Sequence, residues 1–271
     1  MFPHLPGTGQ KQRRSAARLV GLLAATGLAI SYWHIFFSRM GLRAVLLPPL
    51  LLASIWFFWR GWYAAGSNRA TYSQLVIAGG LLGLSLYSYL AARLLPLLFL
   101  LFAVLALLRQ SGHRRQKLAG FCFFGLAAIL VALPLLLYFQ QNPEAVGSRT
   151  RALWVFSGAD PLQSFLGNTI ALLQLLFSPG YWLGQWPALN PVSALGLALG
   201  LGICLVRIKR APYLFLLLWA GLGLAPVLLS VQAWDGQTTL LRGIIGWPAL
   251  FMISGLGLVT LSRGIYRRAG H

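Results

Sequence analysis

The sequence predicts an all-α integral membrane protein with about eight transmembrane helices and one long external loop carrying an interfacial helix. Three observations carry this reading. Of the 271 residues, 58% are hydrophobic and 9% are charged, whereas a soluble domain usually carries about 25% charged residues. A soluble protein this apolar could not cover its surface. The 22 Lys and Arg residues, set against 3 Asp and Glu, lie between apolar runs long enough to cross a bilayer. The net charge of +19 therefore does not point to nucleic acid. Finally, the alternating apolar and polar strands of an outer-membrane barrel are absent.

The predicted spans are roughly 17–37, 43–59, 74–92, 94–109, 118–138, 191–206, 212–231 and 243–262. The first follows Gln10-Lys11-Gln12-Arg13-Arg14, a charged start of the kind that opens a signal peptide. The run from Leu19 to Phe37 is too long for that, is aromatic at its end and has no small-residue cleavage site. It is read as a retained helix. Gly79 and Gly83, and again Gly196 and Gly200, have the small-xxx-small spacing that lets helices approach closely, although Gly is also simply common in membrane helices. Pro134 and Pro226 fall inside predicted helices and should kink them.

Positive charge sets the orientation, because cytoplasmic loops collect Lys and Arg. The basic loops are 109–117 and 207–210, joined by the tail with Arg263, Arg267 and Arg268. Placing these and the N-terminus inside gives a multi-pass protein of the inner (plasma) membrane with both termini cytoplasmic. Sixteen basic residues then face inward. Arg39, Arg43, Arg93, Arg149, Arg151 and Arg242 face outward, together with Glu144, Asp160 and Asp235. If the apolar segment 162–177 crossed once, loop 207–210 would be forced outside. That segment is therefore expected to lie on the outer surface or dip in without crossing, and its Gln163, Asn168 and Gln174 suit an interfacial helix. The organisation is a basic cytoplasmic segment over 1–18, five helices over 19–138, an external loop over 139–190, three helices over 191–262 and a basic tail over 263–271. Trp154, Tyr181, Trp182 and Trp186 of the loop suit a membrane interface.

Three acids leave little material for a carboxylate dyad or a carboxylate-rich metal cage. Cys122 and Cys204 fall in apolar runs and read as buried thiols without disulfide or zinc spacing. His4, His34, His113 and His271 are scattered, so no metal cluster is visible and no catalytic residue is assigned.

The outward cations are all Arg, while all three lysines, Lys11, Lys117 and Lys209, lie inside. Arginine offers a planar fork that binds phosphate bidentately. Arg39 and Arg43 close the first external turn, Arg93 sits at the tip of a tight hairpin beside Tyr87 and Tyr89, Arg149 and Arg151 open the long loop, and Arg242 starts the last helix. Cations near hydrocarbon usually have partners, and three acids cannot pair six arginines. A lipid phosphate at the outer interface is the natural anion. The competing reading is an ordinary phospholipid headgroup or snorkelling to water, to which Arg43 and Arg151 are assigned first. His34, one turn before the end of the first helix, reads either as a structural residue or as a donor to a phosphate or sugar beside Arg39.

Trp33-His34-Ile35-Phe36-Phe37-Ser38-Arg39, the stretch from Gly83 to Pro96, Asn142-Pro143-Glu144 with Arg149, and Leu241-Arg242-Gly243 with Pro248 together resemble bacterial polytopic GT-C glycosyltransferases. These are similar to protein O-mannosyltransferases and lipid A aminoarabinose transferases. The resemblance runs from about residue 19 to 262 and rests on the order and placement of the motifs. It implies transfer of a sugar from a polyprenyl-phosphate carrier to an acceptor at the outer membrane face. It implies phosphate or pocket roles for Arg39, Arg93 and Arg242, with Arg149, Tyr87, Tyr89 and His34 beside them, and it implies a divalent metal for which no ligands are identified. The family's acidic first external loop has no counterpart here, since Ser38 to Arg43 carries no acid. The chain is therefore expected to be such an enzyme without its N-terminal helices. Two alternatives remain: a non-enzymatic lipid-phosphate binder or inactive paralogue and, ranked last, a transporter. Neither reading involves nucleic acid.

Overall fold

A computed structural model describes residues 10–63, 69–109, 114–145, 147, 154–158, 160–177, 188–231 and 240–269. Among these residues the chain is all-helical apart from an isolated antiparallel bridge between Trp154 and Ser230. The helices are α1 (Gln10–Ile30), α2 (Tyr32–Arg39), α3 (Leu47–Tyr63), α4 (Arg69–Ser85), α5 (Leu95–Arg109), α6 (Arg114–Gln141), α7 (Pro161–Phe177), α8 (Pro191–Val206), α9 (Ala211–Leu228) and α10 (Trp247–Ala269). Short 3₁₀ turns at Arg43–Leu46 and Leu90–Leu94 lead into α3 and α5.

Among the described residues, five helical stretches are long and apolar enough to cross a membrane: Arg43–Tyr63, Leu90–Arg109, Arg114–Gln141, Ala211–Leu228 and Trp247–Ile265. A sixth results if the bent pair α1 and α2 counts as one span. The sequence led to an expectation of eight. The first expected span, 17–37, is broken: Ser31 adopts extended backbone (ψ 117°), and the helices on either side are bent by 58°. The span expected over 74–92 ends at Ser85. There the Ser85 hydroxyl donates to the Leu82 carbonyl and the Ser88 hydroxyl to the Ser85 carbonyl, each at 2.6 Å. Side-chain bonds of this kind compete with continuing the helix. α6 and α9 run on through Pro134 and Pro226.

Two helix starts follow ordinary capping chemistry. The Asp160 carboxylate accepts from the Gln163 amide at 3.0 Å, with Pro161 as the first residue of α7. The Asn190 side chain accepts from the Ser193 amide at 2.8 Å, with Pro191 opening α8. Such caps occupy amides that have no partner within the helix.

The packing forms two compact units. A middle unit comprises Leu42–Ser164 with Leu229–Val231, and a terminal unit comprises Met1–Gly41, Phe165–Leu228 and Gln232–His271. In the middle unit, the Ser54 hydroxyl of α3 donates to the Ala78 carbonyl of α4 at 2.8 Å, and Gly61 lies against Thr71 and Leu75. These pairs make α3 and α4 antiparallel. Leu75 meets Gly120, Gly79 meets Phe124 and Gly83 meets Ala128, so α4 and α6 run parallel. Phe58, Phe99, Phe102 and Phe124 fill the space between α3, α5 and α6, with ring centroids 4.9–5.9 Å apart. Such pairs are worth ~0.5–1.5 kcal/mol each beyond their burial.

Because α6 packs through Gly120, Phe124 and Ala128, spaced by four, its opposite side is uncovered. This corrects one expectation: Cys122 lies on that side and is exposed, whereas Cys204 is buried as expected. The helix directions also sort the charges. Lys117 at the start of α6 reaches the ring of Trp62 at the end of α3 (5.4 Å). The end carrying Arg60, Arg69, Arg109 and Lys117 is thus opposite the end carrying Arg43 and Arg93.

In the terminal unit, α1 and α10 are antiparallel: Arg263 Nη2 donates to the Gln12 carbonyl at 2.9 Å, Gly255 meets Val20, and Gly27 meets Phe251. α9 is also antiparallel to the chain entering α10, through Gly223 against Gly246 and Val227 against Gly243. The Trp219 indole donates to the Ile245 carbonyl at 2.7 Å in the same region. α8 runs with α10: Ser193 faces Ser254, Gly196 faces Gly257, and Leu199 and Ile203 share a cleft with Thr260 and Gly264. α7 is tied at two points. The Asn168 amide donates to the Leu228 carbonyl at the end of α9 (3.4 Å), and the Leu176 carbonyl accepts from the Leu189 amide just before α8 (3.2 Å). Both ties belong to the end of the unit where α9 finishes and α8 begins.

Candidate functional site

The residues singled out in the sequence fall into two groups, one in each unit. In the middle unit, Tyr87, Tyr89 and Arg93 share the irregular segment between α4 and α5. The Ser85 and Ser88 bonds end α4 and start this segment. Tyr89, with extended backbone, caps the 3₁₀ turn that carries Arg93, and its carbonyl accepts from the Ala92 amide at 3.0 Å. Arg93 is half-buried, and its guanidinium carbon stands 4.8 Å from the centre of the Phe139 ring on α6. A cation over a ring face in a poorly solvated place is attracted by ~1–2 kcal/mol. The arginine is thereby held at the head of an apolar span. Nothing in the sequence pattern alone picked out Phe139 as its platform. The signal was present in principle, because the parallel register of α4 and α6 carries the segment after Ser85 to the last turns of α6.

Tyr87 has a structural attachment. Its hydroxyl donates to the Val131 carbonyl at 2.9 Å, while the ring remains exposed. Val131 lies three residues before Pro134, which supplies no amide hydrogen to the helix. Pro134 leaves the Leu130 carbonyl, four residues back, without its helical donor, and Tyr87 adds an outside donor at the neighbouring carbonyl.

In the terminal unit, His34 and Arg39 lie on α2, beyond the break at Ser31. His34 Nδ1 is 3.4 Å from the Ser31 hydroxyl, and its ring packs edge-on to Phe251 of α10 at 6.4 Å. Nε2 of His34 and Nε1 of Trp33 are buried without a hydrogen-bond partner among the described residues. Arg39, the last residue of α2, is exposed. Arg242 is half-buried in the turn before α10, where the Trp247 indole donates to the Leu240 carbonyl at 3.0 Å. The break that turns α2 aside was not read from the sequence. Its signal was Ser31, a residue whose side chain competes for backbone partners, in the middle of an apolar run.

Arg149 lies outside the described residues, as do Arg151, Tyr181, Trp182, Trp186, Asp235, His4, His113 and His271. Asp160 serves as the cap of α7, and Glu144 is exposed just after α6. Among the described residues, no three His, Cys, Asp or Glu side chains come together to hold a metal ion. The donors described therefore do not fit a divalent metal.

No family model, curated protein or solved structure matches the chain.

Proposed function

We propose that the chain is a membrane glycosyltransferase, or the C-terminal portion of one, that transfers a sugar from a polyprenyl-phosphate carrier to an acceptor at the outer membrane face. The observation that carries this reading is Arg93: a guanidinium at the head of an apolar span, set by a 3₁₀ turn and steadied over Phe139. A planar guanidinium fork at the end of a membrane span suits a lipid-borne phosphate. Tyr89 lies beside it. Arg149 belongs to the same proposal from its place at the start of the external loop. In the terminal unit, Arg39, Arg242 and His34 take the corresponding phosphate or pocket roles.

This reading includes the finer topology of eight crossings with a long external loop over 139–190. The two ties of α7 to a single end of the terminal unit support its lying along the outer surface without crossing. The charge sorting within each unit supports cytoplasmic termini in a plasma membrane.

The experiment is transfer from labelled polyprenyl-phosphate sugar by membranes containing the protein, with carrier binding measured alongside. Arg93→Ala is expected to weaken carrier binding about tenfold or more, the usual scale for a lost charge-assisted bond. Unchanged binding by Arg93→Ala removes this site assignment. A second reading, a lipid-phosphate binder without transfer activity, is favoured by the acid-free turn Ser38 to Arg43. Carrier binding without transfer by the parent protein would select it.

A further inference from the structure

We propose that the terminal unit holds an anionic phospholipid in the cleft between α8 and α10, at the end opposite the outward arginines. The cleft measures about 390 Å³ and is lined by Leu199 and Ile203 of α8 and by Gly257, Thr260, Leu261, Gly264 and Ile265 of α10. Its walls are apolar. The Thr260 hydroxyl is turned back onto the Leu256 carbonyl at 2.8 Å. Gly264, with nothing within 4 Å of where a Cβ would stand, leaves that end of the floor bare, and the exposure of Leu199, Leu261 and Ile265 shows that the cleft opens sideways. A sideways-open apolar slot of this kind takes a hydrocarbon chain.

The polar end of the occupant is set by charge. One turn beyond Ile203 comes Arg207, so the next register position beyond the α8 wall is a cation. Arg207 is anchored, with Nη1 donating to the Tyr213 hydroxyl at 3.2 Å. A guanidinium carries five N–H donors, so this single bond leaves it able to hold a phosphate. Lys209 and Arg210 follow in the same turn and are exposed. None of the described residues of this unit is acidic. The positive end therefore meets no protein carboxylate among them, and a phosphate attached to a chain in the slot complements it. Basic pockets between membrane helices recognise anionic headgroups in this way.

The test is native mass spectrometry of the detergent-released protein with phosphatidylglycerol or phosphatidylcholine of identical chains. The parent is expected to retain phosphatidylglycerol at least fivefold more strongly, the scale of about one surface cation. Arg207→Gln combined with Lys209→Gln and Arg210→Gln should bring the two lipids to parity. Gly264→Leu should abolish retention of both. A Cβ at Gly264 meets nothing within 4 Å, so this variant fills the slot without disturbing the helix pair. Free inorganic phosphate should not displace the lipid. Equal retention of both lipids by the parent, retention by Gly264→Leu at the parent level, or displacement by phosphate alone would each overturn the proposal. None of these readouts involves sugar transfer, so the outcome is separate from that of the proposed enzyme activity.

Discussion

The helix pairs α4–α6 and α8–α10 carry the same sequence device and use it differently. Each pair has glycines four apart on one helix: Gly79 and Gly83 on α4, Gly196 and Gly200 on α8. In the first pair the facing helix offers Phe124, Ala128 and Val131, so the glycines of one helix admit the backbone and branched side chains of the other. In the second pair a glycine of the facing helix stands directly opposite the backbone of the first, whereas Gly120 of α6 meets the Leu75 side chain. A Cβ on Gly200 would collide with the Ile253 carbonyl, and one on Gly257 with the Gly196 carbonyl. The contact is then backbone against backbone, and the Ser254 hydroxyl adds a 2.8 Å bond to the Ser193 carbonyl. Within a bilayer, association draws on such packing and on hydrogen bonds, since lipid is as apolar as the side chains. The difference shows that the spacing of small residues marks a close approach, while the partner decides whether that approach is one-sided or mutual.

The comparison can be broken most severely at the mutual contact. Gly200→Ala combined with Gly257→Ala should destabilise the protein by ~3 kcal/mol or more, as overpacking of a tight interior does. The double variant should lose less than the sum of the singles, because the first Cβ already separates the helices; denaturant unfolding in mild detergent measures both. Gly79→Ala, whose Cβ would meet the Phe124 carbonyl, should cost ~1–3 kcal/mol in the same assay. An effect as large as that of the double variant would erase the distinction between one-sided and mutual contacts. Ser254→Ala removes only the hydroxyl and should cost ~0.6 kcal/mol, the average for such bonds in membrane proteins. Gly80→Ala is the smallest change, because its Cβ would approach only Val131, at 3.9 Å. It should leave stability unchanged or raise it by up to ~1 kcal/mol through better helix propensity. A loss there would show that α4 tolerates no added volume on either side of its glycine face.

Much of the helical outline was legible in the residues, and the failures have local causes. α8 occupies the expected residues because Asn190 and Pro191 start it with unambiguous chemistry, and α5 begins within one residue of its expected start because Pro96 pins the turn before it. The segment beginning at Asp160 and Pro161 is a helix for the same reason. The hydropathy of the run from Leu19 to Phe37 hid the break at Ser31, since hydropathy registers composition and is blind to one backbone angle. The ending of α4 at Ser85 was missed in the same way. Cys122 was misread because an apolar run says that a residue is away from water and does not say whether protein or lipid covers it.

For the candidate site, residue type and position along the chain singled out the arginines. What holds Arg93 became visible only when the parallel register of α4 and α6 brought Phe139 beneath it. Tyr87 likewise proved to be a latch on Val131 once the two helices were side by side.

The sequence by itself determined that the chain is helical and apolar enough to cross a membrane several times, and it determined which loops collect positive charge. These are properties of composition and order, and every short window of the chain carries them. Only the tertiary structure decided which glycines touch backbone, which cations rest on rings, and which walls leave a slot between α8 and α10. Each of these depends on residues dozens of positions apart, and the register that joins them is set by packing, which no single stretch of sequence contains.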